Sequence, residues 1–157
     1  MCRRVPLPLV AVTVTVVVAA LVAVAFWLLR DRPVEVTAPP AAADPACAAL
    51  ADKLPAKVGT RTRRTTSSDS PAVAAWGDPA IVWLCGVAQP GPSTECLDVS
   101  GVDWVVESLD DGRAFTTFGR DPAVQVLVPA AYAPEPLLLP PFSRVMATIE
   151  QGSRRCT

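Results

Sequence analysis

Four cysteines, Cys47, Cys85, Cys96 and Cys156, are the residues with the most definite chemistry in this 157-residue chain. An even number of thiols in a small domain fits disulfides formed in an oxidising compartment. A tetrathiolate zinc site would need closely spaced pairs of the C-x₂₋₄-C kind, whereas the nearest two cysteines here have ten residues between them. Four cysteines allow three connectivities, and sequence alone does not choose among them. The favoured expectation joins Cys85 to Cys96 as a local closure and Cys47 to Cys156 across the ends of the domain. The chain has no histidine. That removes Ser-His-Asp and Cys-His activation of a nucleophile, as well as imidazole metal sites. No catalytic residue, metal or cofactor is expected.

A second group, Asp103, Trp104, Thr117, Gly119 and Arg120, combines charge, ring and hydroxyl in a way that suits a binding patch for a polar ligand. Its residues fall on a predicted hairpin formed by Asp103–Leu109 and Arg113–Phe118, with Asp111-Gly112 as a two-residue type I′ turn. That register sets Trp104 opposite Gly119, Asp103 opposite Arg120 and Asp110 opposite Arg113. The same residues then have a structural reading, in which an indole covers a bare glycine backbone and opposite charges pair across strands. A three-residue loop would shift the register. Arg61, Arg63 and Arg64 form a basic cluster in the polar run Thr60–Ser70, expected to be a loop, where guanidinium groups suit phosphate. Asp110 and Asp111 are adjacent carboxylates, but an exposed turn does not aim two of them into one cleft.

The element on which compartment depends is the uncharged stretch Val5–Leu29. As a helix, Leu9–Leu29 would span roughly 31 Å, close to the hydrocarbon thickness of a bilayer. It exceeds the usual h-region of a signal peptide and runs past the A-x-A site at Ala23-Val24-Ala25, so an uncleaved single-pass anchor is expected, with cleavage and secretion as the alternative. Arginines flank it on both sides, leaving the positive-inside bias tied, and the cysteines place residues 30–157 outside the cytoplasm. The expected order is a cytoplasmic tail (1–4), a transmembrane helix (5–29), a Pro/Ala-rich linker (30–43) and an extracytoplasmic α+β domain (44–157). The linker is read as an extended spacer holding the domain up to roughly 30 Å off the membrane.

Within the domain, Asp44-Pro45 predicts an N-capped helix burying Cys47, Leu50 and Leu54. Ser70-Pro71 predicts a further short helix through Trp76. Ala80–Val87 and Ala123–Val128 read as strands, the first of them central and buried. Pro140-Pro141 opens a helix with Phe142, Val145, Met146 and Ile149 on one face, packed on a mostly antiparallel sheet.

The chain carries 14 basic and 15 acidic residues. Without Arg3 and Arg4 the balance is acidic, which argues against nucleic acid as a partner. Cys47 in a short helix, Ala75-Trp76-Gly77-Asp78-Pro79-Ala80-Ile81, Cys85-Gly86-Val87, Cys96, Gly101-Val102-Asp103-Trp104, Thr116-Thr117-Phe118-Gly119-Arg120, Pro122-Ala123-Val124 and a terminal cysteine occur in that order. In this the chain resembles the actinobacterial domain-of-unknown-function family 3515 over residues 45–157 and the preceding anchor. The resemblance implies a secreted or single-pass membrane protein and no assigned activity; Phe118 stands where a tyrosine is expected in this motif. The functional expectation is a monomeric, non-enzymatic module on the outer face of the plasma membrane that meets an envelope protein partner. A small-ligand or lipid-binding domain, with Leu137–Leu139 lining a groove, is the alternative, and an envelope hydrolase the third reading.

Overall fold

The computed structural model describes residues 7–30, 32–91, 93 and 95–156. They form two units, residues 1–32 and 33–157. The first holds helix α1, Leu7–Arg30. Its described side chains, residues 14–25, are all exposed. That stretch is short, and among the described residues no helix is long and apolar enough to cross a membrane.

The second unit is a small α+β domain: one eight-stranded sheet with short helices. Its strands are β1 (Lys57–Val58), β2 (Arg61–Arg64), β3 (Val73–Trp76), β4 (Ile81–Val87), β5 (Cys96–Val99), β6 (Val102–Leu109), β7 (Gly112–Thr117) and β8 (Ala123–Pro129). They lie in the order β1-β2-β3-β4-β8-β7-β6-β5, and every pairing within the sheet is antiparallel. Helix α2 (Pro45–Ala51) begins where the sequence predicts, with Asp44 Oδ1 accepting from Ala46 N at 2.8 Å. Helix α3 (Pro140–Met146) buries Phe142, Val145 and Met146. The core lies on the sheet face that carries Trp76, Trp83, Phe115, Trp104 and Val126, together with Leu50 of α2 and Phe142 of α3. Trp76 and Phe142 meet edge to face with centroids 5.3 Å apart. Period-2 alternation makes this legible: odd positions of β4 and even positions of β8 face the core.

Several expectations are corrected. Ser70–Trp76 is not a helix; Val73–Trp76 is strand β3, paired with β4 from Val73↔Leu84 to Trp76↔Ile81. A segment this short takes its state from its neighbours, and as a strand it buries Ala74 and Trp76 on one face and Val73 and Ala75 on the other. The polar run Thr60–Ser70 contains β2, whose Arg63 and Arg64 pair with Trp76 and Ala75. The stretch read as a free spacer is laid on the domain: Val34 N donates to Thr65 O (2.9 Å), Ser67 N to Val34 O (2.9 Å) and Ala41 N to Gly86 O (3.1 Å). Gly86 permits this contact, since a Cβ there would come within 2.4 Å of Ala41 O.

The cysteines pair Cys47 with Cys85 and Cys96 with Cys156, with Cα atoms 5.6 and 5.7 Å apart, against the expected Cys85–Cys96 and Cys47–Cys156. Sheet order is the reason. Strands β8, β7 and β6 lie between β4 and β5, so Cys85 and Cys96 are about four strand spacings, or roughly 19 Å, apart. That is far beyond disulfide reach. Cys85 instead points from β4 into the core, where Cys47 lies on the buried face of α2.

The hairpin register is also corrected. The strands join through a two-residue loop, but at Asp110-Asp111, so that Leu109 faces Gly112 and Trp104 faces Thr117. The displacement is two positions, which keeps every side chain on its expected face. Gly112 does not have a left-handed φ; it is the residue at which β8 comes closest, and a Cβ would lie 2.2 Å from Val128 O. The two-residue loop with positive φ at both positions is Ser100-Gly101 (55° and 79°), joining β5 to β6.

Candidate functional site

Asp103, Trp104, Thr117, Gly119 and Arg120 are brought together where β6, β7 and the start of β8 meet the C-terminal segment 147–156. Thr117 ends β7 fully buried, and its Oγ1 accepts from Val124 N at 2.9 Å, closing the β7–β8 connection. Phe118 N donates to Asp103 O (2.9 Å), extending the ladder by one rung. Gly119 then turns the chain with φ of 71°.

Beneath this turn the Arg120 side chain is 6% exposed. Nη1 donates to Met146 O (3.2 Å) and to Ile149 O, and Nη2 donates to Gly101 O (3.1 Å). One guanidinium thus ties the end of α3 to the β5–β6 turn. Its fork of donors suits several carbonyls at once, which a lysine could not match. Burial lowers its pKa from the ordinary arginine value; the nearby Arg155 lowers it further, and Asp103 acts in the opposite direction.

Asp103 and Arg120 do not form an ion pair within 4 Å, so the expected cross-strand pair is replaced by charge proximity alone. The Asp103 carboxylate is 8% exposed, and its Oδ2 accepts from Cys156 N at 3.1 Å, beside the Cys96–Cys156 bridge. Trp104 does not cover Gly119. Its Nε1 donates to the buried Ser143 Oγ of α3 at 3.1 Å. What covers Gly119 is the C-terminal segment: Gly152 N donates to Gly119 O (2.7 Å), and a Cβ on Gly119 would stand 2.4 Å from both Arg154 O and Gln151 Nε2.

Three residues of this assembly escaped the sequence reading. Gln151 Nε2 donates to Phe118 O (2.9 Å) and Arg154 O (2.7 Å), Gln89 Nε2 donates to Arg120 O (2.5 Å), and Ser143 receives Trp104. Amide and hydroxyl groups on loops and helix faces leave no periodic trace, so only Cys156 hinted that the C-terminus returns here. A notch of about 270 Å³ remains at the surface, lined by Gln89, Gly119, Arg120, Asp121, Gly152 and Arg154 among others. Arg154 closes one side, with its guanidinium 5.1 Å from the Phe118 ring centroid and 3.3 Å from Gln89 Oε1.

The other sequence candidates are dispersed. Leu139 is fully buried in the core while Leu137 is exposed, so the leucine run does not line one groove. Asp110 and Asp111 sit in an exposed turn. Arg61, Arg63 and Arg64 lie on β2, with the Arg61 guanidinium 3.6 Å from the Tyr132 ring centroid and that of Arg63 5.5 Å from Trp76. Among the described residues, no group of three or more His, Cys, Asp or Glu could hold a metal ion.

Comparison with known proteins gives one match: a family model described as a protein of unknown function (DUF3515) covers residues 5–152. No curated protein and no solved structure matches the chain.

Proposed function

The chain belongs to the DUF3515 family, a membership that brings no activity with it, and from that premise we propose a membrane-tethered, extracytoplasmic, non-enzymatic module that engages another envelope protein. The observation that carries this reading is the pair of disulfides. Cys47–Cys85 fastens α2 to the middle of the sheet and Cys96–Cys156 fastens the C-terminus to its edge, an investment of four thiols that suits an oxidising space. The uncharged stretch Val5–Leu29 supplies the tether.

A binding rather than a catalytic role is supported by how the polar cluster is used. Arg120 (through Nη1 and Nη2), Thr117 and Asp103 each hydrogen-bond to backbone atoms of the same domain, while Arg120 Nε is buried without a partner. At the other end of the sheet from β1, β5 is an edge strand, and a sheet edge favours pairing with a partner strand.

Labelling of intact cells tests the compartment. A membrane-impermeant maleimide should modify the half-buried Cys96 and Cys156 only after treatment with an impermeant reductant, whereas the core Cys47–Cys85 bridge should be reached only once the protein is denatured. Labelling without reduction would refute the oxidised state, and no labelling after it would refute the outer location. Crosslinking in intact cells should return the same envelope protein from independent preparations; a chain recovered uncrosslinked throughout would refute the interaction.

A further inference from the structure

We propose that the basic edge formed by β1 and β2 is a phosphate-binding face that seats the domain on the headgroups of an anionic phospholipid bilayer, a role for Arg61 and Arg63 that deepens the tethered reading and rests on it. The antiparallel register of β1 and β2 gathers Lys57, Arg61, Arg63 and Arg64 within eight residues of chain, on a domain that is otherwise acidic. Arg64 is already engaged, donating to Gly77 O at 3.3 Å and lying 3.7 Å from Asp78. Arg61 and Arg63 are two residues apart on β2 and so share a face. Neither has a carboxylate within 4 Å among the described residues. Each guanidinium instead lies over an aromatic ring, Arg61 on Tyr132 and Arg63 on Trp76.

Stacking matters because it satisfies the face of a guanidinium while leaving its edge of N–H donors directed away from the ring. Tyr132 is itself fixed, its hydroxyl donating to Pro79 O at 2.7 Å. Arg61 Nε is buried without a hydrogen-bond partner, so this guanidinium still has an unsatisfied donor. Two guanidinium forks on one strand face, each over a ring and neither in an ion pair among the described residues, suit the tetrahedral oxygens of phosphate.

Covalent connection favours the bilayer over other sources of phosphate. Val34 is hydrogen-bonded to Thr65 and Ser67, immediately after β2, and only residues 31–33 separate it from the end of α1 at Arg30. Fully extended, that tether reaches about 14 Å, so a helix in the bilayer keeps the arginine strand within reach of the headgroups. Basic side chains close to an anionic surface each add to the attraction, which is screened over about 10 Å at ordinary salt.

The test uses the full chain in nanodiscs of phosphatidylcholine with and without phosphatidylglycerol, read by amide hydrogen exchange over residues 57–64. Exchange should be at least about five-fold slower with phosphatidylglycerol. The difference should vanish at high salt and in R61Q/R63Q, and persist in R144Q, which removes an exposed arginine of α3. Equal exchange in the two lipids would overturn the proposal. So would the same protection from inorganic phosphate in detergent, which would assign the face to a free phosphate. R61K/R63K keeps the charge without the flat stack and should recover only part of the difference, which separates recognition from unfolding of the strand. Should the chain fail to enter nanodiscs, the tethered reading fails by itself. Co-flotation with phosphatidylglycerol vesicles but not phosphatidylcholine vesicles, lost in R61Q/R63Q, would then still uphold the face, and no co-flotation would overturn it.

Discussion

Gly119→Ala tests the latch between the sheet and the C-terminal segment. Gly119 has φ of 71°, where an L side chain costs about 1–2 kcal/mol. The added methyl would also stand 2.4 Å from a backbone oxygen, Arg154 O, and from Gln151 Nε2, so residues 151–154 must move. Doing so breaks the bonds from Gly152 N to Gly119 O and from Gln151 Nε2 to Phe118 O, at about 1 kcal/mol each. The expected loss is about 3 to 4 kcal/mol by urea denaturation of the oxidised protein. Because Cys96–Cys156 still holds the end of the chain, part of this loss should appear as local release. Native-state trypsin should then cut after Arg154 and Arg155 several-fold faster than in the parent. A variant within about 0.5 kcal/mol of the parent, the ordinary scatter for an exposed substitution, with unchanged proteolysis would refute the reasoning.

Non-reducing peptide mapping should recover Cys47 linked to Cys85 and Cys96 linked to Cys156; replacing either pair with alanine should cost about 4 kcal/mol, since the bridges close separate loops over 38 and 60 residues. Trp104→Phe should cost about 1–3 kcal/mol in chemical denaturation by leaving Ser143 Oγ buried without its donor. Gly112→Ala should destabilise clearly although its φ is not left-handed, because the methyl meets the β8 backbone; a stabilised variant would instead mean that the strand can move aside.

Much of this domain is legible from local pattern. Asp44-Pro45 announces α2, and the apolar run before Val87 and the alternation after Pro122 announce β4 and β8, because capping and side-chain periodicity act over a few residues. The five residues of the candidate cluster do assemble, but with different partners. A two-position slip at Asp110-Asp111 leaves faces unchanged, so the burial pattern that the sequence encodes cannot distinguish the two registers. Val73–Trp76 misleads for a related reason, since four small or apolar residues carry too little propensity to resist the strand beside them.

The residues alone determine that four cysteines follow an uncharged stretch, too far apart in sequence for a paired-cysteine metal site. They also determine which faces of β4, β8, α2 and α3 are apolar. Only the tertiary structure decides which thiol meets which, because placing three strands between Cys85 and Cys96 is a property of sheet order. It likewise decides that Arg120 anchors the C-terminal segment, because its acceptors are carbonyls 26 and 29 residues away, and backbone carbonyls are the same in every sequence.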